Sequence, residues 1–428
     1  MQKRMALVVQ KFGGTSVGSI ERIQHVARWA LESQARGDQV VLVVSAMSGE
    51  TNRLVGLAQQ INPVPYSREY DMLIASGEQV ACGLVSLAIN TLAGSRAGSG
   101  GSSTEKARPL LGHQIGILTD SVFSKARIQK IDTRLLESLI ARGIIPVIAG
   151  FQGVDAEQNI TTLGRGGSDT SAVAIAAALK ADDCEIYTDV DGVYTTDPRL
   201  CPGARKVDRI SYEEMMELAS LGAKVLQIRS VELAAKYKVP LHVRSSFSPV
   251  EGTRVVSMEE MARHMKESSM EKVVVVGVAA DPAQVKFRLQ GLGDRPDAAA
   301  RVFNALAKAA IVVDVIVQDT AQSSGEQGQL NLSFTVGESD RLLVRDVLQR
   351  LGEVGTVVED PGLAKVSVVG VGMQHHPGVA SRMFGLLAEA GIRIRLISTS
   401  EIKISCLIDG DKMKAAVQAL HQGFGLED

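Results

Sequence analysis

Residues 7–18 read LVVQKFGGTSVG: a short apolar run meets Lys11, and Phe12, Gly13, Gly14, Thr15 and Ser16 follow. Glycines and hydroxyls after a strand let backbone N–H groups close around a phosphate. In the familiar phosphate loop the lysine follows the glycines, whereas here it precedes them. Taken alone, the stretch is better explained by a glycine turn between a strand and the helix that starts at Ile20. A second cluster is TTLGRGGSDTSAVAIAAAL, 161–179, where Gly164, Gly166 and Gly167 surround Arg165. Ser168 and Asp169 stand where a helix N-cap belongs, before an alanine-rich helix former. A helix N-terminus beside an arginine fork suits a carboxylate or a phosphate.

Two further stretches carry acids. In YTDVDGVYTTDPR, 187–199, strand residues lead into Asp189, Asp191 and Gly192 and then Asp197–Pro198. The closing glutamate of a calcium loop is absent. A nucleotide-binding edge at the carboxyl end of a strand accounts for the pattern, and so does turn chemistry alone. In SGEQ, Ser76, Gly77 and Glu78 are expected to open a helix running toward Asn90, where the dipole alone favours an acid.

These stretches need elements to hold them. Val40–Ser45, Ile144–Ala149 and Glu185–Thr188 read as buried strands, and 20–36, 135–142 and 170–180 as helices. Such alternation predicts a layered α/β domain with a mainly parallel sheet over about the first 245 residues. AGSRAGSGGSSTEK, 93–106, is expected to be a surface loop, because it offers little to bury. The charged, Met-rich 257–272 reads as a connecting helix. An internal repeat follows: Pro296, Arg301, Phe303 and Leu306 match Pro377, Arg382, Phe384 and Leu387 at a constant shift of 81 residues, each copy after a valine-rich strand.

With 428 residues, two or three domains are expected. The net charge of −2 supplies no basic field for nucleic acid or an acidic membrane, and no apolar run approaches the ~20 residues of a membrane span. The N-terminus, whose apolar part is cut short by Lys11, does not read as a signal peptide. Cys82, Cys184, Cys201 and Cys406 are scattered without paired spacing, and read as reduced thiols in a cytoplasmic protein, neither a disulfide frame nor a zinc site.

KFGGTS, SAMSGETN, TTLGRGGSDTSAV and YTDVDGVYTTDPR, in this order, closely resemble aspartate kinase, and the resemblance spans essentially the whole chain. It implies an amino-acid-kinase fold over 1–250, a linker helix at 251–271, and two ferredoxin-like ACT domains at 272–350 and 351–428, the first open to completion by the C-terminal segment. It implies that ATP phosphorylates the side-chain carboxylate of L-aspartate. That carboxylate is already ionised at neutral pH, so the chemistry calls for cations and N–H donors rather than a general base. By resemblance Lys11 stabilises the transferring phosphoryl group, and Gly13, Gly14 and Ser16 line the phosphates. Arg165 grips the substrate α-carboxylate with Ser168 and Thr51, Glu78 answers its ammonium, and Asp169 organises Lys11 and the magnesium-bound phosphates. Thr188, Asp189, Tyr194, Arg199 and Lys224 hold the nucleotide, and Mg²⁺ arrives as MgATP rather than in a protein cage.

Two departures from the family pattern stand out. LGHQIGILTD is reached only after the Gly/Ser-rich stretch, which reads as a local insertion. DRPD (294–297) and QD (318–319) stand where lysine- and threonine-sensing members often carry DRPG and QN. Asp294, Asp314, Gln318, Asp319, Thr399 and Ser400 are the expected effector residues, with lysine or threonine as effectors and pairing of ACT units into a homo-oligomer. No homoserine-dehydrogenase-like extension follows Asp428, so a monofunctional enzyme is expected. The rival readings are another amino-acid kinase of the same fold and a non-catalytic ACT sensor. The KFGGTS and GRGGSD motifs and the intact Lys11, Arg165 and Asp169 stand against them.

Overall fold

The computed structural model describes residues 5–63, 67–96, 105–220, 225–268, 275–292, 296–321, 329–376 and 378–427. They fall into two compact units, one drawn from 5–194, 206–220 and 225–268, the other from 195–205 and 275–427.

The first unit is built on an eight-stranded sheet. In chain order its strands are β1 (Leu7–Phe12), β2 (Gln39–Val44), β3 (Ala107–Leu110), β4 (Ile145–Ala149), β5 (Asp183–Thr188), β6 (Arg209–Ser211), β7 (Leu241–Ser245) and β8 (Thr253–Val256). Their spatial order is β6-β8-β7-β5-β1-β2-β4-β3, parallel throughout except between β7 and β8. The central strands LVVQKF and QVVLVV are almost wholly buried, as expected where helices cover both faces of a parallel sheet. The helix Ile20–Ala35 packs Ile23, Val26, Ala27 and Ala30 against Val40, Leu42 and Val44. β8 lies within the stretch read as linker, since Val255 and Val256 are buried in this sheet. The connecting helix is only Met258–Ser268.

One helix departs from expectation. Ser76, Gly77 and Glu78 do not open a helix but lie inside Arg68–Arg96. Gly77 is tolerated mid-helix because a Cβ there would come within 2.9 Å of the Ala46 Cβ, so its absence lets the helix approach the end of β2. The same helix reaches Arg96, into the stretch read as loop; residues 97–104 lie outside the described residues. By length and composition it is apolar enough to cross a membrane. Its Ala81, Cys82, Val85 and Ile89 are nevertheless fully buried in the core of this unit, as in the central helix of a globular domain.

The second unit is a six-stranded antiparallel sheet formed by β9 (Gly277–Leu292), β10 (Ile316–Ala321), β11 (Gln329–Gly337), β12 (Thr356–Val369), β13 (Ile394–Thr399) and β14 (Lys403–Asp409), in the order β10-β11-β9-β12-β14-β13. The repeat is visible in its helices: Ala298–Lys308 and Val379–Glu389 begin and end at equivalent positions of the two copies. The long paired strands β9 and β12 each contain an Asp-Pro step, Asp281–Pro282 and Asp360–Pro361, and their register shifts between Asp281 and Lys286. Proline cannot donate to the ladder, so the sheet is interrupted there and two cores form on it. One core gathers Val285, Phe287 and Leu289 with Val302, Leu306, Phe334 and Val354. The other gathers Val275 and Val278 with Val366, Val368, Met383, Cys406 and Val417. A boundary at 350/351 therefore does not separate the cores. The start of β9 completes the core of the second copy, and the first copy is inserted between its parts.

Candidate active site

β1, β2 and β5 end in register, Phe12 lying opposite both Val44 and Tyr187. The chain turns immediately after Phe12. Gly13 N donates to Tyr187 O (3.1 Å) and Ser45 N donates to Phe12 O (3.1 Å), so the turn is tied to both flanking strands. A short 3₁₀ turn, Gly14–Val17, brings the Ser16 hydroxyl against that of Ser246, whose N–H donates to Thr188 O (2.9 Å). The carboxyl ends of β1, β5 and β7 thus assemble Lys11, Gly13, Ser16, Thr188 and Ser246 at one edge, where open parallel sheets bind ligands.

The turn is rigidly supported from behind. Tyr187 stacks on Phe12 with ring centroids 4.6 Å apart. Its hydroxyl accepts from Trp29 Nε1 (2.9 Å) and donates to Glu185 (2.9 Å). Glu185 in turn accepts from Gln10 Nε2 and Arg244, each at 2.8 Å. This buried network ties the strand ends together, with only Gln10 Oε1 left without a donor.

Asp169 comes from the helix Gly167–Leu179. The cap is not Ser168 or Asp169, as the sequence led us to expect, but Gly166 in the left-handed region (φ 69°). A Cβ at Gly166 would also strike the Gln227 side chain. Asp169 therefore sits in the first helical turn, where the helix dipole favours a carboxylate. Its Oδ1 lies 2.6 Å from Lys11 Nζ, both side chains being 11% exposed. A lysine this deep needs a counter-charge, and the pair leaves Lys11 facing the glycine turn.

Glu78 is 4% exposed. Its Oε1 accepts from Ala46 N (3.2 Å), while Oε2 is buried and unpaired. Burial pushes its pKa up to about 7, opposed by backbone hydrogen bonds from Ala46 and from its own N–H. A buried carboxylate oxygen without a donor fits a ligand that brings one.

Arg165 is exposed, on the loop between Leu163 and the cap. Two residues that the sequence reading passed over hold this loop. Arg229 donates to Leu163 O and Ala126 O, both at 2.7 Å. Asp71, fully buried, accepts from Thr162 N (2.6 Å), Ser124 N and the Ser124 hydroxyl (2.9 Å each). In the sequence Asp71 is indistinguishable from an ordinary first-turn acid. Ser246 gave no signal either. Ser168 is buried in the first turn of the Asp169 helix, and Thr51 is half-buried in the first turn of Glu50–Ile61.

Of the expected nucleotide residues, Thr188 donates to Asp189 (3.1 Å), and Tyr194 donates to Asp191 (2.8 Å). Burial and then Asp191 raise the Tyr194 pKa. Arg199 belongs to the second unit and pairs at the surface with Asp197 (2.7 Å). Lys224 lies outside the described residues, as does Asp294. Among the other expected effector residues, Asp314 pairs with buried Lys365. Gln318 and Asp319 are exposed on edge strand β10; Thr399 and Ser400 are exposed at the end of edge strand β13.

Residues 6–245 match the model of the amino acid kinase family, and 366–424 match an ACT domain. An aspartokinase of Pseudomonas aeruginosa is 49% identical over 99% of this chain and 98% of its own. The chain belongs to the aspartate kinase family. Two crystal structures of E. coli aspartokinase III, one with aspartate and ADP and one with lysine and aspartate, match it at 26% identity and a TM-score of 0.73. They cover 97% and 98% of this chain and 99% of their own. The chain is an ACT-regulated aspartate kinase, which transfers the γ-phosphoryl group of ATP to the side-chain carboxylate of L-aspartate. The reaction of an aspartate kinase makes two demands on its site: drawing anions together and countering charge on the transferring group.

Proposed function

We propose the following division of labour, carried by the Lys11–Asp169 pair at the carboxyl ends of β1 and β5. Lys11 stabilises the transferring phosphoryl group, and the N–H groups of Gly13 and Gly14 with the Ser16 hydroxyl cradle the phosphates. Asp169 orients Lys11 and the magnesium ion that enters with ATP. Its carboxylate and the phosphate oxygens are the hard donors Mg²⁺ prefers. Arg165 forks onto the aspartate α-carboxylate with Ser168 and Thr51 beside it. Glu78 receives the substrate ammonium, which satisfies the unpaired Oε2 and returns the carboxyl to its charged form. Thr188, Asp189 and Tyr194 hold the nucleotide, and family resemblance adds Arg199 and Lys224.

Lysine, threonine or both act as feedback effectors at the ACT repeat, through Asp294, Asp314, Gln318, Asp319, Thr399 and Ser400. The exposed edges β10 and β13 support pairing of the second unit between chains. The enzyme works in the cytoplasm, which its four unpaired, buried cysteines favour.

An aspartate-dependent kinase assay with Mg²⁺ and with lysine and threonine, singly and together, tests this reading. Expected are turnover that requires Mg²⁺, preference for aspartate over glutamate, and inhibition by at least one effector. Turnover without a divalent ion, or insensitivity to both amino acids, would overturn the corresponding assignment.

A further inference from the structure

Within the second unit, the segment 195–205 buries Cys201 in the same core as Val278, Val366, Met383 and Val417. His421, on the helix Met413–Gly423, is fully buried beside it. The His421 Nδ1 atom faces Cys201 Sγ at 3.5 Å and Glu427 Oε1 at 3.9 Å, and its Nε2 lies 2.8 Å from Thr195 Oγ1. The sulfur, nitrogen and carboxylate oxygen all lie within 4.8 Å of one another.

This spacing is that of a coordination polyhedron. With metal–sulfur bonds of about 2.3 Å and metal–nitrogen bonds of about 2.0 Å, adjacent donors of a tetrahedral site stand roughly 3.3–3.6 Å apart. The sulfur–nitrogen edge already has that length. Glu427, the one half-exposed member, has its carboxylate oxygen 3.9 Å from the nitrogen and within 4.8 Å of the sulfur, and moves inward on binding. Room is kept for it, because a Cβ at Gly203 would come within 2.9 Å of Glu427 Oε1.

The orientation of the ring is also set. Thr195 Oγ1 already accepts from Arg205 N (3.0 Å) and retains one lone pair for an Nε2–H. That tautomer leaves the Nδ1 lone pair facing the thiol and the carboxylate, the outer hydrogen bond that ligating histidines require.

We propose that Cys201, His421 and Glu427 form a binding site for a thiophilic divalent transition metal of the zinc class, with a fourth position open to water. The soft thiolate and imidazole select such an ion over Mg²⁺ or Ca²⁺. On binding, the Cys201 S–H proton leaves to bulk solvent, and a sulfur–metal bond forms without redox change. The ion ties 195–205 to the C-terminal helix and the residues after it.

The test is a titration of untagged, chelator-treated, full-length enzyme with Co²⁺. One ion per chain is expected, with a thiolate-to-cobalt charge-transfer band in the near ultraviolet and the visible bands of tetrahedral cobalt, both abolished by Zn²⁺. Cys201→Ser should lose the ultraviolet band and weaken Zn²⁺ binding at least ~100-fold, and Glu427→Gln should weaken it about 10-fold. Both should keep the wild-type circular dichroism and basal kinase rate. A wild-type titration without the sulfur band overturns the proposal, including one in which Co²⁺ occupies the sulfur-free cluster Asp183, Glu185 and His242. So does a band that survives Cys201→Ser.

Discussion

The two sheets of this chain treat their polar residues in opposite ways. In the parallel sheet, strand ends converge, and the residues proposed for the chemistry gather where they stop: Lys11, Asp169 and Glu78 are all nearly buried, each held by a partner remote in sequence. In the antiparallel sheet, the described residues expected to read an effector lie on or beside edge strands and are exposed, Asp314 reaching buried Lys365. A catalytic group must be preorganised and desolvated before substrate arrives, because its worth lies in a fixed field. A regulatory surface gains by leaving donors and acceptors open, since it responds only if a ligand supplies what is missing.

That contrast can be broken most forcefully at Lys11. Lys11→Met should lower kcat by roughly 10³-fold, with folding intact. Asp169→Asn should approach the same loss, and the double variant should be little worse than either, because the two act as one unit. Additive losses in steady-state kinetics would show that they work separately.

Glu78 gives the next effect. Glu78→Gln should raise KM for aspartate about 100-fold with a smaller change in kcat, the value of a charged hydrogen bond to the substrate ammonium. In the wild type, kcat/KM for aspartate should fall as pH drops below about 7 and Glu78 takes up its proton, and the variant should lack this limb. Stability depends on the same proton with the opposite sign. The folded-state pKa, about 7, stands above the ordinary 4.5, so this group's contribution is complete below pH 4.5 and is lost as pH rises to about 7. Glu78→Gln should therefore gain on the wild type in denaturant melts from pH 5 to pH 8, by on the order of 2 kcal/mol.

The smallest effect belongs to the regulatory sheet. Asp314→Ala removes the partner of Lys365, whose side chain is 5% exposed, and should cost about 1–3 kcal/mol of unfolding free energy. Basal kcat should stay within about twofold, and sensitivity to lysine or threonine should change. A large loss of basal turnover would mean that the two sheets are not as separable in function as their polar residues imply.

Much of this was legible in the chain itself. The run Val40–Ser45 reads as a buried strand and the alanine-rich run after GRGGSD as a helix, and both elements form, because local pattern carries most of such a decision. The repeat's constant shift of 81 residues reappears in the two helices, Ala298–Lys308 and Val379–Glu389. Helix starts were less legible: SGEQ looks like an N-terminus, yet Gly77 is there to let a helix pass close to Ala46. Nor does any local pattern mark Asp71, Arg229 or Ser246, whose work lies with partners far away in sequence.

The sequence alone thus determined most element types and the family motifs, since these depend on neighbours along the chain. Only the tertiary structure decided which groups meet. It placed Lys11 against Asp169, gave Glu78 an unpaired oxygen, and divided one antiparallel sheet into two cores near the Asp-Pro steps of its two long strands. It also set Cys201 beside His421, 220 residues on, where linear spacing gave no hint of a metal site. Packing brings such groups together, and packing is settled by the whole fold rather than by any stretch of it.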